Sequence, residues 1–190
     1  MKKLYYYLIG IFLLIISFLF DKEILLFFID IRMDFLDKIA IFIHNVQGYI
    51  LFSLVLLILL LFKQKEKIIP LIISFIIYSI LVVLIKNIVL RPRPFTEFNF
   101  EKLVEDVNAD KSFPSGHATA ASTIIPFFDF NNILKYGWAF IAIIIALSRV
   151  YLGVHYLSDV IAGFLLGCLI GDSSILAFNY YKNIFHHRKV

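Results

Sequence analysis

The chain has 190 residues, of which 61% are hydrophobic and only 17% charged, with a net charge of +4. A mean hydropathy of +0.90 is too high for a chain that must cover its core with polar surface, so lipid is expected as the solvent for much of it. No polybasic run points to nucleic acid, the length leaves no room for a separate soluble module, and the single cysteine, Cys168, excludes an intramolecular disulfide.

A membrane-spanning helix takes about 20 apolar residues, and the first is expected at residues 4–20. The preceding Met1-Lys2-Lys3 imitates a secretory signal. No small-x-small cleavage site follows Phe20, so the segment reads as an uncleaved span. Residues 21–45 mix Phe, Ile and Leu with Asp30, Arg32, Asp34, Asp37 and Lys38. That is too many charges for a lipid-spanning helix, and an amphipathic helix at the interface fits better. Further spans are expected at about residues 46–62, 68–90, 115–128, 136–149 and 155–181. The expectation is an all-α, single-domain protein with six transmembrane helices.

An even number of spans puts both termini on one side, together with Lys63, Lys65, Lys67, Lys135 and Lys182. The positive-inside tendency makes that side cytoplasmic. The loop 91–114, with Glu97, Glu101, Glu105, Asp106 and Asp110, then faces outward. A multi-pass cell-membrane protein with an extracytoplasmic site is expected.

Three short patterns carry chemistry. In the first, K-x6-R-P, Lys86 ends the third span and Arg93-Pro94 follows in a turn that Pro92 and Pro94 enforce. An ammonium and a planar guanidinium brought together suit a tetrahedral phosphate; the same residues also suit cations reaching up to lipid headgroups. The second, Pro114-Ser115-Gly116-His117, reads as a helix start. Ser115 is the cap, Gly116 allows close backbone approach, and His117 lies on a first turn whose free N–H groups favour an anion. A plain interfacial cap with an incidental histidine fits the same residues.

The third pattern, S-R-x5-H-x3-D, is the most specific. Gly153 is a plausible break that lets Arg149 end one span and His155 begin the next. His155 and Asp159 are four apart and share a helix face, so the carboxylate can fix the imidazole tautomer and leave the other nitrogen as nucleophile. A structural His–Asp pair at a helix end is the competing reading. An ionisable cluster at a membrane edge is a functional hypothesis by default, and all three patterns fall on the same expected face.

In order and spacing, the motifs from Lys86 to Asp159 resemble those of the type 2 phosphatidic acid phosphatase superfamily. The resemblance implies a six-helix membrane fold and a metal-independent site with no cofactor. It implies that His155 attacks phosphorus and becomes a phosphohistidine, that Asp159 orients it, and that His117 protonates the leaving group and then helps to activate water. Lys86, Arg93, Ser115, Gly116 and Arg149 would hold the phosphoryl oxygens.

The implied partners are membrane lipids and a lipid phosphate substrate such as undecaprenyl pyrophosphate, phosphatidylglycerol phosphate or phosphatidic acid. Dedicated undecaprenyl pyrophosphatases often resemble P-S-D-H at the second motif, so Gly116 leans toward the broader group. Phosphotransfer between lipids is a further reading. A non-catalytic lipid-phosphate binder is another, although binding alone needs only the cations and neither His117 nor the His155–Asp159 pair. No carboxylate spacing in the acidic loop reads as a metal site. His44 and His186-His187 are expected to be interfacial or incidental.

Overall fold

A computed structural model of the chain describes residues 2–46, 49–98, 100–104 and 111–187. Among these the secondary structure is helical, with no strand. The order is α1 (Lys2–Asp30), α2 (Asp34–Val46), α3 (Tyr49–Leu61), a 3-10 turn (Lys65–Lys67) and α4 (Ile68–Val89). Then come the short α5 (Pro94–Glu97), α6 (Gly116–Thr123), a second 3-10 turn (Ile125–Phe128), α7 (Asn132–Tyr151) and α8 (Leu157–His187).

Among the described residues, three segments are long and apolar enough to cross a membrane, Lys65–Glu97, Asn132–Tyr151 and Leu157–Ile184, and Phe52–Leu61 is a shorter apolar helix. Large apolar side chains such as Ile76, Ile88, Phe140 and Leu176 point away from the protein. An outward apolar surface on this scale is favourable in lipid and unfavourable in water. The chain is an all-α membrane protein.

Two elements differ from the sequence expectation. α1 runs without interruption to Asp30, because Asp21, expected to start a separate amphipathic segment, is satisfied by buried partners. The amphipathic helix is therefore only α2. The expected span 115–128 is an eight-residue helix followed by a 3-10 turn. Pro126, which has no N–H to continue an α-helical ladder, lies in that turn.

A short helix with little apolar bulk can be central because of what faces it. α8 presents Gly163, Gly167 and Gly171 at four-residue spacing to α6. A Cβ on Gly167 would fall 2.1 Å from Ser122 Oγ and 2.2 Å from the Thr119 carbonyl oxygen. On Gly163 it would fall 2.5 Å from the Ser115 carbonyl oxygen, and on Gly171 2.4 Å from that of Thr123. Small residues at this spacing let helix backbones approach closely where lipid supplies no hydrophobic drive. The buried hydroxyls of Thr119, Ser122 and Thr123 donate to carbonyls one turn back in α6, so the seam leaves none of them unsatisfied.

The bundle has two ends. At one, Trp138, Phe127, Phe128, Leu71, Val55 and Leu59 form an apolar cluster capped by the Lys67–Asp129 ion pair. The other gathers the C-terminus of α4, the N-termini of α6 and α8, the end of α7, the α1–α2 corner and the segment 91–104. The three sequence motifs meet there.

Candidate active site

The site begins with the turn between α7 and α8. Gly153 has φ +74°, a left-handed conformation that side chains resist, and a Cβ there would fall 2.4 Å from Phe100 Cε2 and 2.9 Å from Arg32 Nη2. Glycine is thus required twice over, and the turn places Arg149 and His155 on separate elements, as their spacing suggested. Arg32 staples it: Nε and Nη2 donate to the Tyr151 carbonyl at 3.2 and 3.1 Å, and Nη1 donates to that of Glu101 at 2.6 Å.

His155 is 2% exposed. Its Nδ1 is 3.4 Å from Asp159 Oδ2, and its Nε2 is 3.3 Å from Arg93 Nη1. A guanidinium only donates, so Nε2 is the acceptor there and the ring proton belongs on Nδ1, toward the carboxylate. The same guanidinium group donates to the Val154 carbonyl at 2.9 Å, which fixes Arg93 over the turn. The His155–Asp159 separation is long for a hydrogen bond, as is common before a substrate tightens a site.

Asp159 is fully buried and heavily engaged. Oδ2 accepts from the Tyr156 backbone N–H at 3.0 Å, and Oδ1 accepts from Arg91 Nη1 at 2.8 Å. Arg91 continues outward, donating to Ser158 Oγ at 2.6 Å and to Asp21 Oδ2 at 2.8 Å. Asp21 in turn accepts from Ser158 N at 2.9 Å and Ser158 Oγ at 2.5 Å. The Arg91 guanidinium carbon lies 4.0 Å from the centroid of the Tyr156 ring and 5.4 Å from that of Phe18. Burial, and then the Glu97 carboxylate that accepts from its hydroxyl, pushes the Tyr156 phenol up, so it remains a donor.

The other half of the site surrounds His117. Arg149, His155, His44 and Arg93 stand around it, drawn from four different elements or turns. Arg149, 1% exposed in the last turn of α7, has Nη1 2.6 Å from His44 Nδ1. The His44 and His117 ring centroids are 5.7 Å apart.

Ser115 caps α6, its side chain accepting from Ala118 N, while its own backbone N–H donates to the Asp159 carbonyl at 2.9 Å. The second motif is thereby pinned to the third. A Cβ on Gly116 would meet only Val82 Cγ1 at an ordinary 3.6 Å, so packing does not demand a glycine there. The Lys86 ammonium donates to the Lys111 carbonyl, just ahead of the second motif.

The structure thus brings together His155, Asp159, Arg93, Arg149, His117 and Ser115, with Gly116 alongside and Lys86, in the last turn of α4, bonded to the segment leading in. Sequence reasoning missed three members. His44, expected to be interfacial or incidental, bonds Arg149: the correction arises because α2 lays its end across α7, which no local pattern reports. Asp21 opens the segment 21–45 and Arg91 opens the loop 91–114, and neither belongs to one of the three motifs. A carboxylate at the end of an apolar run and a second arginine in Arg91-Pro92-Arg93-Pro94 were the only available signals. Among the described residues, no three His, Cys, Asp or Glu side chains converge as a metal site. The expectations for Glu105, Asp106 and Asp110, and for the side chains of His186 and His187, lie outside what the structure describes.

A family model described as the PAP2 superfamily matches residues 67–183, which contain all three motifs. An undecaprenyl-diphosphatase of Sulfolobus acidocaldarius is 32% identical over 196 residues, covering 92% of each chain. Phosphatidylglycerophosphatase B of Bacillus subtilis is 36% identical over 98 residues, 45% of each chain. Among solved structures, Aquifex aeolicus LpxE matches with TM-score 0.72 and 30% identity over 82% of this chain and 94% of that one. A transmembrane PAP2-type phosphatidylglycerolphosphate phosphatase of Bacillus subtilis matches with TM-score 0.69 over 90% of this chain and 94% of that one; at 24% identity it speaks to the fold alone. The chain belongs to the PAP2 superfamily.

Proposed function

We propose that this protein hydrolyses a membrane lipid phosphate or pyrophosphate through a phosphohistidine at His155, without a metal ion, at the extracytoplasmic face. The observation that carries the reading is the polarity of the His155 ring, with Nδ1 toward Asp159 and Nε2 beside Arg93. A nitrogen lone pair next to a fixed cation is what attack on a bound phosphoryl group requires. His155 Nε2 forms the bond to phosphorus while the bond to the leaving oxygen breaks, and His117 delivers a proton to that oxygen. Water then attacks the phosphohistidine, giving its proton to His117, and the P–N bond breaks to release inorganic phosphate and restore His155. Arg93, Arg149 and Lys86, with Ser115 and Gly116, hold the phosphoryl oxygens and offset the charge that a divalent ion would otherwise offset.

The lipid keeps its tail in the bilayer while its headgroup enters the site at the bundle end. The relative matched along nearly its whole length acts, by its name, on undecaprenyl diphosphate, and this favours a polyprenyl pyrophosphate. The shorter match to a phosphatidylglycerophosphatase and the P-S-G-H form of the second motif keep phospholipid monoesters in the substrate class. Six passes, formed by α1, α3, α4, the α6 segment, α7 and α8, put the site outward and Lys63, Lys65 and Lys67 inward.

The test is phosphate release by purified protein in chelator, from undecaprenyl pyrophosphate, phosphatidylglycerol phosphate and phosphatidic acid. Turnover that survives chelation, is inhibited by vanadate and leaves label on His155 is expected. Loss of activity that magnesium restores, or label on another residue, overturns the mechanism. Sidedness is read in a Cys168→Ser background, with cysteines at Glu101 and Lys65 labelled in intact cells by an impermeant thiol reagent. Labelling at 65 but not at 101 would turn the site inward.

A further inference from the structure

His44 lies at the end of α2, outside the residues matched by the family model. Its Nδ1 stands 2.6 Å from Arg149 Nη1, and its ring stacks at 5.7 Å, tilted, beside that of His117. Because a guanidinium has donors only, Nδ1 is the acceptor, which leaves the ring proton on Nε2. Arg149 is buried at the end of α7, where a misplaced guanidinium has no water to settle in.

α2 does not need His44 in order to dock. Tyr151 donates its hydroxyl to Asp37 Oδ1 at 2.5 Å and accepts from the Met33 backbone N–H at 3.2 Å. Ala40, with Leu36 and Ile41 of the same helix, packs against Tyr151, Leu152 and Val154. The helix is anchored at its start and middle, and His44 projects from its far end onto the guanidinium.

We propose that His44 is a positioning residue for phosphoryl transfer: it holds the Arg149 guanidinium beside His117 by accepting from Nη1. This rests on the phosphatase reading, in which Arg149 binds phosphoryl oxygens. The amphipathic helix thereby contributes to the site, and the site extends beyond the three motifs. The geometry also distinguishes the two ring nitrogens. An asparagine at position 44 can offer its carbonyl oxygen near the place of Nδ1, whereas a glutamine reaches toward that of Nε2.

The experiment compares full-length His44→Ala, His44→Asn and His44→Gln in detergent, with thermal unfolding to establish that each is folded. His44→Ala is expected to lower kcat/KM by about tenfold to a hundredfold, the usual effect of losing a hydrogen bond to a charged group. His44→Asn should recover most of that loss, and His44→Gln should not. In an Arg149→Lys background, His44→Ala should cost less than about threefold, because residues acting through one group are non-additive.

Orthovanadate binding, followed by thermal shift, should weaken in the same order. Wild-type turnover tests the phosphatase reading, while the ratios between variants and the vanadate series test His44 even where a lipid is not turned over. A His44→Ala variant within twofold of wild type in both assays, equal losses for Asn and Ala, or losses that multiply with Arg149→Lys would each overturn the proposal.

Discussion

The two halves of the site are built in different ways. The half around His155, the proposed nucleophile, is local: His155 lies just ahead of α8 and Asp159 in its first turn, and the bonds from Arg91 and Tyr156 N keep the carboxylate in place. The half around His117, the proposed acid, is assembled at a distance, with His117 on α6, Arg149 on α7 and His44 on α2. A local pair tolerates movement of the bundle, since its members travel together. A distributed triad depends on how three helices dock, so its chemistry reports on packing. The first half therefore appears in a sequence as a motif, and the second appears only in part.

Breaking the local half should have the largest effect. His155→Ala is expected to reduce lipid phosphate turnover on the order of a thousandfold or more, with an unchanged unfolding temperature, because it removes the proposed nucleophile. Residual activity within tenfold of wild type would place the nucleophile elsewhere. In the distributed half, His117→Ala should cost about a hundredfold on alkyl phosphates and distinctly less on aryl phosphates, whose leaving groups need less protonation. Equal losses on both would assign His117 to phosphate binding instead.

A smaller effect sharpens the contrast at the outer edge of the local half. Asp21→Asn keeps the shape but weakens the charge holding Arg91 against Asp159, and about a tenfold loss of kcat is expected, the scale of one charge-assisted hydrogen bond. Unchanged kcat would mean that Arg91 and Tyr156 N hold Asp159 without help from the Asp21 charge. The smallest change belongs at the far end of the bundle. Lys67→Ala removes the pair with Asp129, which is 56% exposed, so turnover should not change and stability should fall by at most about 1 kcal/mol. A loss of activity there would show that the two ends are coupled.

How much of this was legible follows the same division. The all-helical membrane character is written in composition, and the turn at Gly153 is written in the spacing between Arg149 and His155. Those features depend on neighbours in sequence. Asp21, Arg91 and His44 are ordinary residues until α1 and α2 are laid against α8 and α7, so their roles are tertiary. The α6 segment is not one continuous α-helix for a related reason. Its apolar content and length suggested a span, whereas its shape is set by Pro126 and by the glycines of another helix. α1 was cut short because a charge in an apolar run usually meets water, and here Asp21 meets Arg91 and Ser158 instead.

The glycine seam has a mechanical consequence. With backbone against backbone along α6 and α8, sliding by even part of a turn drives carbonyls and hydroxyls into one another, so this pair behaves as a fixed anvil. His117, Ser115, His155 and Asp159 all ride at its upper end. Any breathing that admits a lipid headgroup or lets phosphate depart is then left to the parts without such a seam: the amphipathic α2, the Arg32 staple and the 91–104 segment. Cross-linking α6 to α8 should leave catalysis intact, and tethering α2 to the 91–104 segment should slow it at product release.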